Sequence, residues 1–148
     1  VVTSAAGHPL DATYYQTVKG MVAPLGILQP GGTLVIASAC SEGLGSRAFA
    51  ASQARLTALG PDAFLRTLAQ KRFADVDEWQ TQMQVKSMHQ GLVQLYTTGL
   101  DAAASALTGV GSTPSVAAAV VDSVARSGDR RVAVVPEGPY VVPVCAGG

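Results

Sequence analysis

Three polar side chains with different chemistry are spaced so that one helix would present them together. Tyr15 and Lys19 are four residues apart, and Gln16 and Lys19 are three apart. Residues at these spacings are neighbours on the surface of a helix. A phenol, an amide and an ammonium arranged in this way can bind a hydroxyl and a carboxylate. The same stripe is also typical of a solvated helix edge whose lysine lays its stem along apolar surface.

The glycine-containing segment at residues 40–46, CSEGLGS, is a second candidate. Ser41, Gly43, Gly45 and Ser46 could hold an anion through backbone N–H groups and the N-terminus of the following helix. The segment lacks the GK[ST] ending of a Walker motif and the GxGxxG pattern of dinucleotide-binding loops. It is therefore interpreted either as an anion or cofactor loop or as an ordinary turn between a strand and a helix.

Residues that could bind a metal or act as nucleophiles are scattered along the chain. His8 falls in a predicted loop and His89 in a predicted helix, and Cys40 and Cys145 form no CxxC pair. A metal site normally gathers several ligands, and a catalytic thiol needs a base beside it. We therefore predict no metal site and no catalytic residue in these 148 residues. The cysteines are expected to be reduced thiols of a cytoplasmic protein.

The composition excludes several classes of protein. Ten basic residues balance ten acidic ones, which gives no electrostatic reason to expect nucleic acid or an anionic membrane as a partner. Hydrophobic residues make up 48% of the chain, enough for a packed core. No apolar run approaches the roughly 18 residues of a membrane helix. We expect a single domain, and its start at Val1, inside a predicted strand, suggests a piece of a longer protein.

Predicted strands alternate with predicted helices along the chain. The strands cover residues 1–4, 33–37, 92–97 and 131–136, with an additional edge strand at 140–144. The helices cover residues 12–22, 47–59, 62–71, 78–90 and 114–127, with a helical turn within 99–111. This alternation predicts an α/β fold, a three-layer domain with a central, mostly parallel sheet flanked by helices. Ligands of such sheets bind beyond the carboxyl ends of the strands, close to the start of the first helix.

The segment from Gly7 to Met21 combines GHPLD with YQTVKGM. It resembles the G-x-P-L-D and Y-Q-x-V-K-G-M signature of the nickel-dependent lactate racemase family. The turn and strand GGTLVI at residues 31–36 follow at the spacing of that family. The segment DEWQ at residues 77–80 resembles a second, weaker family segment that contains a tryptophan. The resemblance extends along most of the chain, more loosely after Gly91.

This resemblance implies the C-terminal, substrate-contacting half of a two-domain enzyme. Members of the family carry a nickel pincer nucleotide and racemise or epimerise 2-hydroxy acids by moving a hydride away from the α-carbon and back. In the family, the catalytic histidines and the cofactor lysine lie in the N-terminal half. This chain is expected to lack that half, which would be its partner domain in the full-length enzyme. The piece alone is therefore expected to be folded but inactive and free of cofactor.

The resemblance also implies roles for four residues of this sequence. Tyr15 and Gln16 match positions that hydrogen-bond the oxygens of the small 2-hydroxy acid substrate. Lys19 matches a position that meets the substrate's charge, and Trp79 matches an aromatic residue at the same cleft.

Two other functions stay open on the sequence. A Rossmann-type nucleotide-binding module would hold a dinucleotide at the first strand–helix turn, although the glycine fingerprint of such modules is absent. A structural or interaction domain of the same fold would perform no chemistry.

Overall fold

A five-stranded sheet forms the centre of the computed structural model, which describes residues 1–145. The strands are β1 (Val2–Ser4), β2 (Gly32–Ala37), β3 (Gly91–Tyr96), β4 (Gly111–Ser112) and β5 (Val134–Val135). Their order in the sheet is β4-β3-β2-β1-β5, and every neighbouring pair is parallel. The α/β class and the parallel sheet predicted from the sequence are confirmed.

Six α-helices connect and flank the strands. They are α1 (Tyr14–Val22), α2 (Arg47–Leu59), α3 (Pro61–Ala69), α4 (Glu78–Gln90), α5 (Ala102–Leu107) and α6 (Val116–Ser127). A 3-10 helix, Ala23–Ile27, continues α1 through Pro24. The bounds of α2 and α4 agree with the prediction because side-chain and glycine signals mark their ends. Within residues 1–145, no helix is long and apolar enough to cross a membrane.

Alternating residues of β2 face two helical layers. Leu34 and Ile36 are fully buried in a core shared with α1. The Thr33 hydroxyl lies on the other face, where it accepts hydrogen bonds of 2.9 Å from Ser123 Oγ and from Arg126 Nη2 of α6. Because successive side chains of a strand point to opposite faces, α1 and α6 lie on opposite sides of the sheet. The predicted three-layer arrangement is therefore confirmed.

The C-terminal part of the chain departs from the sequence prediction. The predicted buried strand at residues 131–136 is only two residues long, and Val134 is 64% exposed. β5 is the last strand of the sheet, so its apolar residues are only partly covered. The sequence also predicted an edge strand at residues 140–144, and this prediction is wrong. Gly138–Tyr140 forms a 3-10 turn, and residues 141–145 have no regular structure.

Two helices begin later than predicted. The first begins at Tyr14, where the Thr13 hydroxyl accepts from the Gln16 amide at 3.3 Å. The last begins at Val116 instead of residue 114, because Ser115 is its N-cap. The Thr113 amide instead donates to Leu95 O at 3.0 Å and prolongs the pairing of the sheet.

Candidate functional site

The first helix carries the predicted polar residues at the carboxyl end of the sheet. α1 follows β1 after a nine-residue connection, residues 5–13, so its first turn lies near the end of that strand. Its buried face packs into the core through Tyr14, Val18 and Met21. Tyr15 and Gln16 are partly buried, and Lys19 is exposed. The structure therefore presents these three residues on the edge of α1 that borders solvent.

Trp79 lies against this edge, although 64 residues of sequence separate it from Tyr15. The two rings meet edge to face, with centroids 6.2 Å apart and an interplanar angle of 88°. On another side, Tyr15 packs edge to face on Phe49 of α2 at 5.1 Å. Lys19 Nζ is 5.8 Å from the centroid of the Tyr15 ring, within cation–π range. Trp79 is 49% exposed. We call Tyr15, Gln16, Lys19 and Trp79 the α1 edge cluster.

Two polar groups of the α1 edge cluster have no bonding partner within residues 1–145. The Gln16 amide oxygen is buried and accepts no hydrogen bond there. Lys19 belongs to none of the salt bridges in that part of the chain. The buried Gln16 oxygen and the exposed Lys19 ammonium thus belong to residues three positions apart on one helix, and neither is bonded to another group of the described residues.

Asp77 sets the electrostatic surroundings of Tyr15. Partial burial raises the pKa of the Tyr15 hydroxyl. The Asp77 carboxylate raises this pKa further, through its negative charge and through hydrogen bonding. Asp77 occupies the N-cap position of α4, yet its side chain makes no capping bond and its φ is +63°. Its Oδ2 instead accepts a 2.5 Å hydrogen bond from Ser46 Oγ. Tyr15 is therefore neutral at ordinary pH and can donate or accept a hydrogen bond.

The loop at residues 40–46 packs against the N-terminus of α1. The Tyr14 and Tyr15 amides donate to Gly43 O and Leu44 O at 2.9 and 3.0 Å. A Cβ at Gly45, where φ is +112°, would lie 3.0 Å from Tyr15 Cβ, so this close approach requires glycine. Loop carbonyls thereby satisfy helix amides that would otherwise be free.

Other groups of the same loop are also engaged. The amides of Cys40, Glu42 and Gly43 donate to backbone carbonyls, and Ser46 Oγ caps α2 by accepting from the Phe49 amide at 3.0 Å. Ser41 is exposed. The use of Ser41, Gly43, Gly45 and Ser46 as an anion or cofactor loop stays a prediction, and it would have to compete with these bonds.

The polar contacts of His8, His89 and Cys40 in the structure involve no residue of the α1 edge cluster. His8 is exposed in the loop after β1, and His89 Nε2 pairs with Asp62 at 3.0 Å on the surface. Cys40 is buried, and its Sγ lies 3.5 Å from the hydroxyls of Thr17 and Ser38. In the part of the chain that the structure describes, no three His, Cys, Asp or Glu side chains are grouped as metal ligands.

The crevice that holds nucleotides in doubly wound folds is filled by this chain. Strand order reverses between β1 and β5, and ligands of such folds bind at the carboxyl ends beside that reversal. There Ala5 forms an antiparallel bridge with Glu137, and the Ser4 hydroxyl donates to Pro136 O. A Cβ at Gly138 would overlap the Ser4 carbonyl oxygen. The segment 136–140 therefore fills the crevice in which doubly wound folds bind their ligands.

Two cavities lie on other parts of the surface. A cavity of about 790 Å³ lies at the amino ends of β1 and β2, beside the C-terminus of α6. A smaller one of about 440 Å³ lies behind Trp79, between α3 and the start of α4. The first is at the opposite end of the sheet from the α1 edge cluster, whereas the second shares Trp79 with it.

Sequence reasoning missed two residues that contact the α1 edge cluster. Asp77 lies beside the Tyr15 hydroxyl, and Gln80 Nε2 donates to the Tyr15 carbonyl at 2.9 Å. Both belong to the DEWQ segment, from which only Trp79 was selected as a site residue. The available signal was that both residues lie within two positions of Trp79 in that segment. Their contact with Tyr15, however, depends on how α4 packs on α1.

Comparisons with known proteins identify the family and the fold of this chain. The family of the lactate racemase C-terminal domain matches residues 1–143. A lactate racemase from Thermoanaerobacterium thermosaccharolyticum is 45% identical over 49 residues, which are 33% of this chain and 12% of that protein. The structure of the lactate racemase apoprotein from the same organism matches with a TM-score of 0.82 and 23% identity. That match covers 97% of this chain and 34% of the apoprotein, so the chain spans about a third of its length. The chain belongs to the lactate racemase C-terminal domain family.

Proposed function

We propose that this chain is the substrate-contacting, C-terminal domain of a nickel-pincer-dependent enzyme that racemises or epimerises a small, lactate-like 2-hydroxy acid. The observation that carries the proposal is the α1 edge cluster. Within residues 1–145, one helix of this family member carries a phenol, a buried amide oxygen without a hydrogen-bond partner and an ammonium outside any salt bridge, with a half-exposed tryptophan beside them. These groups complement a molecule that has a carboxylate, a hydroxyl and a short apolar part.

Each side chain has a distinct role in this proposal. The Lys19 ammonium binds the substrate carboxylate through a charge-assisted hydrogen bond. The Gln16 oxygen accepts from the substrate hydroxyl, while its NH₂ group can donate to the carbonyl formed when the hydroxyl is oxidised. Tyr15 donates to a substrate oxygen, and Trp79 covers the substrate and excludes water. Holding the substrate in one orientation is itself a large contribution to rate.

Within residues 1–145, no three His, Cys, Asp or Glu side chains are grouped as metal ligands. Following the family resemblance, our proposal assigns the nickel pincer nucleotide, the general bases and the hydride transfer to an N-terminal partner domain, and no step is assigned to the cofactor here. The isolated chain is proposed to be inactive, and the two unpaired cysteines suit a cytoplasmic enzyme.

The two alternative functions have less support. A nucleotide-binding module would need the crevice that residues 136–140 fill, and saturable binding of NAD(H) at micromolar concentration would favour it. A structural or interaction domain would explain the fold, but it gives no role to the Gln16 oxygen and the Lys19 ammonium, which have no bonding partner within residues 1–145. It would be favoured if the full-length protein lacks the upstream histidines and cofactor lysine.

The test is racemisation by the full-length protein loaded with its nickel cofactor. Chiral chromatography should show one enantiomer of lactate, or of a larger 2-hydroxy acid, converted to a mixture of both. In D₂O the new enantiomer should keep its α-hydrogen, because a hydride is removed and returned. Deuterium at the α-carbon would contradict hydride transfer, and absence of conversion with every 2-hydroxy acid tried would contradict the function. The 148-residue chain alone should hold no stoichiometric nickel by metal analysis.

A further inference from the structure

The first turn of α4 holds Tyr15 from its backbone side. Gln80 is 1% exposed, and its Nε2 donates to the Tyr15 carbonyl at 2.9 Å. The other end of the same side chain, Oε1, is buried and has no partner within residues 1–145. A buried acceptor without a bond destabilises the fold. Gln80 therefore bonds to Tyr15 through its NH₂ group, while its amide oxygen has no hydrogen bond within residues 1–145.

The next turn of α4 provides a comparison. Gln84 is also fully buried, and its Nε2 donates to a backbone carbonyl, Thr108 O, at 2.6 Å. Its Oε1 accepts from Gln53 Nε2 at 3.0 Å, so both ends of its amide are bonded. Gln84 is a fully bonded structural amide. Of the two ends of the Gln80 amide, only Nε2 is bonded in the described residues, and its partner is Tyr15 of the α1 edge cluster.

We propose that Gln80 is a positioning residue for the substrate, acting through Tyr15. Gln80 fixes the backbone of Tyr15, so that Tyr15 presents the same hydrogen-bonding geometry to each substrate molecule. Trp79, the residue before Gln80, is held against the Tyr15 ring by the same helical turn. This inference rests on the proposed function, because it gives Tyr15 a substrate to meet.

A matched pair of substitutions in the full-length enzyme tests the role of Gln80. Gln80→Met and Gln84→Met each remove one buried amide from α4 and keep the length of the side chain. Both are expected to lower the Tm. Gln80→Met should lower kcat/KM about tenfold, because small misplacements of a positioning group are costly, whereas Gln84→Met should change it about twofold or less. Equal losses of kcat/KM, or a loss only in Gln84→Met, would overturn the proposal.

A second measurement tests Gln80 without using activity. The full-length protein is labelled with tyrosine that carries ¹³C at its carbonyl, and Tyr15→Phe identifies the Tyr15 signal. Its chemical shift is compared by NMR in the wild type, Gln80→Met and Gln84→Met. Gln80 Nε2 donates to the labelled carbonyl at 2.9 Å, whereas Gln84 bonds to Thr108 O and Gln53.

The Tyr15 carbonyl signal should shift more in Gln80→Met than in Gln84→Met, because only the first substitution removes its side-chain donor. Equal shifts, or no shift in Gln80→Met, would overturn the role of Gln80. The two failures are distinguishable: if the wild type shows no racemase activity but the Tyr15 signal shifts as expected, the contact stands and the proposed function is wrong.

Discussion

The buried face and the polar edge of α1 are represented by adjacent tyrosines. Tyr14 is fully buried, its ring is 6.2 Å from that of Phe49, and its hydroxyl donates to Thr108 O at 3.3 Å. Burial raises the pKa of Tyr14 far above its ordinary value of 10. Tyr15 is only partly buried, and it contacts Trp79 and Lys19 at the surface.

The difference arises from helix geometry. Consecutive residues of an α-helix point about 100° apart, so one tyrosine enters the core and the next reaches the edge. Residues on the first face should control the free energy of unfolding, and residues on the second should control substrate binding. The two quantities can therefore be separated by substitutions within one short helix.

The largest effect is expected on the buried face. Tyr14→Ala should lower the free energy of unfolding by roughly 3–5 kcal/mol, because it leaves a cavity in the core. Tyr14→Phe, which removes only the hydroxyl, should cost about 1 kcal/mol. Chemical denaturation of both variants measures these values. A Tyr14→Ala variant of near-normal stability would show that this face does not carry the core.

Lys19→Ala should give the opposite result. Loss of a charge-assisted contact with the substrate carboxylate should cost roughly 1.5–3 kcal/mol, or about one to two decades in kcat/KM. The free energy of unfolding should change by about 0.5 kcal/mol or less, as for most surface positions. Lys86→Ala, at an exposed lysine of α4, is the matched control and should alter neither quantity. If the two variants behave alike, the solvated-edge interpretation of Lys19 is correct.

Gln16→Ala should have a milder effect in the same direction. A neutral hydrogen bond contributes about 0.5–1.5 kcal/mol, which corresponds to a loss of about twofold to thirteenfold in kcat/KM. Stability should be unchanged or slightly improved, because the substitution also removes a buried oxygen that has no partner in the described residues. Steady-state kinetics and thermal unfolding on one preparation measure both. A large loss of stability would assign Gln16 to the core instead.

The smallest effect is expected at Glu78, the residue before Trp79, and it concerns how the free energy of unfolding falls at acid pH. Burial would raise the pKa of Glu78, but bonds from Lys71, the Asp75 amide and Arg55 outweigh it, so the pKa lies below its ordinary value of 4.5. A depressed pKa contributes stability above the unfolded-state pKa, and that contribution is lost as pH falls through the folded-state pKa. Glu78→Gln should therefore lose less stability than the wild type between neutral pH and pH values below 4.5. Parallel acid dependence of the two proteins, followed by denaturation, would contradict the assignment.

Much of the scaffold was predictable because local signals mark it. Ser46 caps α2, Gly60 and Pro61 separate α2 from α3, and Gly91 ends α4. The near-continuous apolar run at residues 33–37 correctly predicted a central strand. Such signals act within a few residues, so sequence alone is sufficient to interpret them.

Features that depend on tertiary packing were not predictable in the same way. The apolar run at residues 131–136 resembles a buried strand, but its position at the sheet edge leaves Val134 exposed. The edge-to-face contact of Trp79 with Tyr15 depends on how α4 packs on α1, which no local pattern encodes. Family resemblance selected Trp79, whereas the bond from Gln80 to the Tyr15 carbonyl became visible only in the structure.

The central claim, that the polar edge of α1 receives a 2-hydroxy acid, is tested most directly by a crystal structure of the full-length protein with a bound 2-hydroxy acid. The account predicts the substrate carboxylate about 2.7–2.9 Å from Lys19 Nζ, with a substrate oxygen bonded to Gln16 and Trp79 covering the substrate. A ligand bound elsewhere, with Lys19 still directed into solvent, would contradict it.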